Sequence, residues 1–199
     1  MELLAKPVMA VLYADWNLLE VFLSELPVED LSEPFYFQSL QGYYSREMGE
    51  GLHKVFLSLK GLIRREDLVK FKLWTVEKER LYSCEGKRRL NIDPGYVDES
   101  HLVLASSKRR GGRLYLGMGV FGEMEYLYVY GGFRPLYWTY TDYRNRQVRD
   151  FFERVRDRFL EQLNLARKGK ELIVYRFLKD ELYEEVQTWG PVGEVKVQS

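Results

Sequence analysis

Hydrophobic positions along this chain recur with two different periods. PVMAVLYAD (7–15) is a nearly unbroken apolar run, short enough for a strand buried on both faces. WNLLEVFLSEL (16–26) places apolar residues at 18, 19, 22, 23 and 26, the stripe of an amphipathic helix. EPFYFQ (33–38) reads as extended. In LHKVFLSLK, Val55, Leu57 and Leu59 alternate with Lys54, Phe56 and Ser58, which predicts a second strand. Residues 64–84 return to helical spacing through Leu68, Phe71, Leu73, Val76, Leu81 and Tyr82. KRRLNID (87–93) is a strand by its alternation: Lys87, Arg89, Asn91 and Asp93 share one parity, Leu90 and Ile92 the other. The order is β-α-β-β-α-β, the ferredoxin-like pattern.

The second half adds strands and a helix. DESHLVLASSK fits either a short helix capped by Asp98 or a buried strand. RLYLGMGVFGE, MEYLYVY and FRPLYW read as strands, with Gly131-Gly132 as a hairpin turn. Thr139-x-x-Asp142 has the form of a capping box. It precedes a long amphipathic helix whose stripe is Val148, Phe151, Phe152, Val155, Phe159 and Leu163. Gly169 breaks that pattern. The expected architecture is one α+β domain, residues 1–168, with a mostly antiparallel sheet. Residues 169–199 form a C-terminal extension of an added strand, a short helix and a loose tail.

Composition narrows the function classes. With 46% apolar and 30% charged residues, the 199-residue chain is globular and not disordered. Its 30 basic and 30 acidic residues cancel, against general nucleic-acid or membrane affinity but leaving local basic patches open. A single cysteine, Cys84, rules out an internal disulfide and a cysteine zinc site, and two histidines are too few for a histidine-rich centre. No run is long enough to span a membrane, and the N-terminal stretch lacks a signal peptide's basic start, so a cytoplasmic location is expected. Asn and Gln together number only ten, a composition that fits a thermophilic source. Oligomeric state is not legible.

Familiar phosphate motifs fail on context. GMGVFG (117–122) has G-x-G-x-x-G spacing, but the Tyr-rich alternation after it opens no helix, so the dinucleotide fold is excluded. The stretch is similar to the glycine-rich hairpin of protein kinases, yet no other kinase motif follows. Gly86-Lys87 and Gly169-Lys170 are followed by Arg88 and Glu171, so neither is a P-loop, and no Gly-x-Ser-x-Gly elbow exists. The candidate chemistry lies in mixed-charge strand faces. Lys87, Arg89, Asn91 and Asp93 form one row; Arg113, Tyr115, Glu123 and Glu125 form another, opposite Leu114, Leu116, Met118 and Val120. If both rows share a sheet, they are either an ordinary wet face or a site where cations hold phosphate and carboxylates hold a divalent cation. Asp93-Pro94-Gly95-Tyr96 is expected to end its strand in a turn. Tyr43, Tyr44, Arg46 and Glu47, with WTYTDY (138–143), either line a pocket mouth or seal a core edge.

GYYSREMGEGLHKVFLSL, KRRLNIDPGYVDESHLVLASSK, RLYLGMGVFGEMEY and PLYWTYTDYR resemble, in order and spacing, the bacterial and archaeal family known as domain of unknown function 4416. The resemblance covers about residues 7–164. Its most specific parts are NIDPGY and the WTYTDYR box. No activity comes with it; members often carry a GTP-binding label that the missing motifs do not support. Two positions depart: Gly112 stands where the family has His, and Gly122 where it has Ala.

Three functional expectations follow. The first is a binding domain, enzymatic or not, for a phosphate-bearing, nucleotide-like ligand. Its candidate residues are Lys87, Arg89, Asn91, Asp93, Tyr96, Lys108, Arg113, Tyr115, Glu123, Tyr43, Glu47 and Asp142, with Asp93, Glu123 and Glu125 as candidate Mg²⁺ ligands. The second is a non-catalytic module that binds RNA or a protein partner. The third is a structural subunit that dimerises through its sheet or long helix.

Overall fold

The computed structural model describes residues 3–38, 42–189 and 195–197. Strand β1 (Leu4–Tyr13) is buried along all ten residues, because the sheet is covered on both sides. It pairs antiparallel with β4 (His53–Leu59) and with β6 (Leu90–Val97). Met9, Val11 and Tyr13 face a layer made by α1 (Trp16–Ser24) and α3 (Leu68–Leu81). Val8 and Ala10 face α4 (Arg146–Arg167). The one charged side chain in β1, Lys6, is fully buried. Burial pulls its pKa down, while an ion pair with Glu29 and hydrogen bonds donated to Gln162 Oε1 and the Lys60 carbonyl satisfy it.

The main sheet continues past β6 to β7 (His101–Ser106), β9 (Val120–Val129) and β10 (Gly132–Pro135), and past β4 to β2 (Val28–Leu31). Three short strands attach at its margins: β3 (Phe35–Tyr36) on β4, β5 (Ile63–Arg64) on β1 and β8 (Leu114–Gly117) on β9. All its strand pairings are antiparallel. Of the segment 98–108, residues 101–106 are thus a strand, and Asp98 caps the turn before it by accepting from the Ser100 and His101 N–H groups. Met118-Gly119 and Tyr130-Gly131 close two-residue hairpins with both φ values positive, the geometry that matches strand twist. The second turn is therefore one residue earlier than Gly131-Gly132.

Three other expectations need correction. The DPGY stretch does not end its strand; β6 runs to Val97. Asn145, not Thr139, caps α4 by accepting from the Gln147 N–H at 2.8 Å. Thr139 Oγ1 is occupied by the Leu136 N–H and the Glu125 carbonyl, and Asp142 pairs with Lys54. The buried stripe of α3 is Leu68, Phe71, Lys72, Trp74, Thr75 and Glu79, whereas Val76 and Leu81 are exposed.

Beyond α4, β11 (Glu171–Leu178), β12 (Glu181–Trp189) and β13 (Val195–Val197) make a second antiparallel sheet. Phe177 stacks on Phe71 with ring centres 4.4 Å apart, and Tyr175 Oη accepts from the Gly61 N–H at 2.8 Å. The expected add-on strand is therefore part of the core.

Candidate functional site

The geometry of β6 creates the site. Its pairing with β7 covers only Gly95–Val97 opposite Leu102–Leu104, although β6 begins at Leu90 and β7 runs on to Ser106. Gly95 permits the close approach: a Cβ there would lie 2.3 Å from the Val103 carbonyl oxygen. Below it Pro94 has no N–H to offer, and the two strands part. The backbone of Ile92, left open by the split, is met by α3. Glu79 Oε2 accepts from the Ile92 N–H at 2.9 Å, and the Lys72 ammonium donates to the Ile92 carbonyl at 3.4 Å. This explains why a core helix buries two charges, and burial raises the Glu79 pKa.

A pocket of about 170 Å³ fills the split. Asn91 and Asp93 enter it from β6, while Ser106, Ser107 and Lys108 lie at the end of β7. Arg113, Glu123 and Glu125 come from the β8–β9 region, Lys54 from β4, and Tyr140 with Asp142 from the turn before α4. Five cationic and five acidic side chains line this one space.

Most of them are paired. Arg113 donates from Nε to Glu123 at 2.6 Å, from Nη1 to Ser106 Oγ and the Lys108 carbonyl, and from Nη2 to Tyr140 Oη. Lys54 donates to Asp142 at 2.6 Å and lies over the Phe37 ring. Arg88 holds Glu47 through Nε and Nη2 and donates from Nη1 to Asn91 Oδ1, which draws the Glu47 pKa down. Two groups stand apart. Asp93 accepts, among the described residues, from Asn91 Nδ2 at 3.3 Å, and Lys108 meets the Tyr43 hydroxyl and the Tyr43 and Tyr44 rings. Among the described residues Lys108 has no carboxylate partner.

Glu125 is unlike the others. The register between β7 and β9 slips there: Leu102 opposes Tyr126 and Val103 opposes Met124, so Glu125 is the extra residue of a bulge. Its carboxyl is 1% exposed and in hydrogen-bonding contact with that of Glu123. Burial first, then the hydrogen bond and negative charge of Glu123, push its pKa up to about 9. Glu123 Oε1 and Glu125 Oε2 are buried without a hydrogen-bond donor among the described residues.

Of the residues expected from sequence, Asn91, Asp93, Lys108, Arg113, Glu123, Glu125 and Asp142 converge on the pocket. Tyr43 and Glu47 act at one remove, through Lys108 and Arg88. Lys87, Arg89, Tyr96 and Tyr115 do not line it. Lys87 closes a turn on Cys84, Arg89 pairs with Asp15, Tyr96 packs on the α1–α3 core and Tyr115 lies outside against Phe121. The charge row breaks because the chain bends at Arg89 before β6 begins, which turns Arg88 inward instead. Lys54, Lys72 and Glu79 had no signal of their own in sequence, since each occupies a position a polar pattern assigns to solvent. Asp93, Glu123 and Glu125 all line the pocket, and among the described residues no group of three carboxylate, imidazole or thiol side chains is placed to hold a metal ion. No helix there is long and apolar enough to cross a membrane.

The profile of a domain of unknown function, DUF4416, matches residues 4–159. The chain belongs to the DUF4416 family. No curated protein and no solved structure matches it. Every residue lining the pocket falls inside the DUF4416 segment, whereas β11, which completes the core, lies beyond it. The family's own boundary and the packed unit therefore differ.

Proposed function

We propose that this protein binds a small, hydroxyl- or amino-bearing anion, of the phosphate-ester class, in the split between β6 and β7. The observation that carries this is the pair of unmatched charges. Among the described residues, Lys108 stands at the mouth without a carboxylate, and Asp93 stands inside without a cation. An anionic group at Lys108 and a hydroxyl or amine at Asp93 would complete both. The remaining charges, already paired, would hold the walls in place and cost little reorganisation on binding. At about 170 Å³ the pocket is smaller than the roughly 300 Å³ and upward of whole-ligand sites, so it suits an anionic head group. The rest of a nucleotide-like ligand would lie outside, against Tyr43 and Tyr140. The antiparallel order β6-β1-β4-β2 supports a ferredoxin-like N-terminal half as the frame.

A thermal-shift panel of nucleotides, sugar phosphates and polyphosphates tests this on wild type, Lys108→Ala, Asp93→Asn and Arg89→Ala. One ligand class should raise the melting temperature of wild type and Arg89→Ala, and do so much less in the two pocket variants. Equal shifts in all four proteins, or none at millimolar ligand, would remove the proposal.

A second reading, an interaction module, has one observation in its favour. The β8–β9 hairpin exposes Leu114, Tyr115, Leu116 and Met118 together, where the alternation predicted a buried apolar parity. Light scattering across a concentration series, with Leu114→Ser and Met118→Ser, tests whether this patch joins two copies.

A further inference from the structure

The pocket wall holds a buried carboxyl pair that a purely structural ion-pair network would not need. Glu123 and Glu125 touch, both are at most 2% exposed, and each has an oxygen that no N–H or hydroxyl reaches. Arg113 takes the other Glu123 oxygen at 2.6 Å, whereas burial beside Glu123 raises the pKa of Glu125. The β9 bulge turns this residue into the pocket where a regular ladder would pair it. We propose that anion binding is coupled to a proton on this carboxyl pair: the pocket accepts its anionic ligand only while the Glu123–Glu125 pair holds that proton. This rests on the anion-binding reading above and adds a thermodynamic requirement to it.

The charge arithmetic gives the reason. With Glu125 neutral, the lining cations outnumber the ionised lining acids by one, and Glu47 sits behind Arg88. Ionising Glu125 would place two negative charges side by side on the wall, next to Asp142, and a ligand anion would add a third. The groups facing the pair come from every adjoining element. They are Arg113 before β8, Asp142 and Tyr140 before α4, Lys54 on β4 behind Asp142, Asp93 on β6, Lys72 and Glu79 on α3, Arg88 before β6 and Lys108 after β7. The Lys108 ammonium lowers the Tyr43 pKa, so the pair must be separated from Tyr43 by variants. On binding, the proton comes from buffer and goes to Glu125; no bond other than that O–H forms.

Calorimetric titration of inorganic phosphate into the full chain provides the test, in two buffers with different ionisation heats. At about pH 9 phosphate is almost wholly the hydrogen phosphate dianion, far from either of its neighbouring ionisations, so it contributes little proton exchange of its own. Binding should take up roughly half a proton there, and affinity should fall close to tenfold per pH unit above it. In Glu125→Gln, which keeps a donor but cannot ionise, the uptake and the slope should vanish, whereas Lys108→Ala should weaken binding at every pH. If the Gln variant does not fold, the wild-type heats alone decide. Phosphate binding with no buffer-dependent heat at about pH 9 overturns the coupling and leaves the anion site standing. No phosphate binding at any pH removes both, and Mg²⁺ binding with proton release in its place would make the pair a cation site.

Discussion

Glu79, on a helix, accepts a hydrogen bond at 2.9 Å from the backbone N–H of Ile92, in the middle of a strand. A strand N–H ordinarily finds its partner in the next strand; here the next strand has turned away. Glu79→Ala should strand that N–H and remove the negative charge beside Arg88 and the buried Lys72, costing about 2–4 kcal/mol. Glu79→Gln, which can still accept, should cost less. Urea unfolding of the two variants checks the order, and a loss below about 0.5 kcal/mol in the alanine variant would contradict the account.

Gly95→Ala should lower stability by about 2 kcal/mol or more. Its new methyl must push against the Val103 carbonyl, which is backbone and cannot rotate aside. Amide exchange should accelerate first in Leu102–Leu104, the only β7 residues paired with β6.

Stability should decline with rising pH over a window set by Glu125. The folded protein keeps this proton up to about pH 9, while the unfolded chain releases it near the ordinary glutamate value. Between those limits the native state binds the extra proton, so raising the pH favours unfolding. Wild type should therefore lose a few kcal/mol relative to Glu125→Gln from mildly acidic conditions to about pH 9. Glu47 acts in the opposite sense: Arg88 lowers its pKa, and its contribution is lost as pH falls through that lowered value. Paired melting curves of wild type and Glu125→Gln across pH check this; parallel curves would place the proton elsewhere.

Phe56 and Met118 should contrast sharply. Phe56 is fully buried among Phe35, Tyr143, Phe151 and Phe152, so Phe56→Ala should cost about 3–5 kcal/mol. Met118 is 72% exposed in a hairpin turn, and Met118→Ser should stay within about 0.5 kcal/mol. Chemical denaturation separates the two directly.

The parts of this structure that follow simple periodicity were legible from the chain. The run at 7–15 is the central strand, and Val148, Phe151, Phe152, Val155 and Phe159 are the inner face of α4. The site was legible where alternation holds: Asn91 and Asp93 do point together, and Arg113 does meet Glu123. It was not legible at Arg88, because the bend at Arg89 interrupts alternation in a way that no residue type announces. Lys72 and Glu79 were hidden for a different reason. A charged residue on a helix reads as facing water, and here the polar medium it faces is an unpaired stretch of peptide backbone.

Phe177 on Phe71 and Tyr175 over Gly61 have a practical consequence for where the chain can be cut. The DUF4416 match stops at residue 159, inside α4, yet the ring that fills the space beside Phe71 and Trp74 arrives eighteen residues later. A protein trimmed to the family boundary would carry an open wound in its interior, with greasy surface available to any passing chain. Genetic dissection, fusion junctions and chimaeras made from this protein should keep β11 and its partner β12, whose Leu182 packs on the same core, and not stop at Phe159.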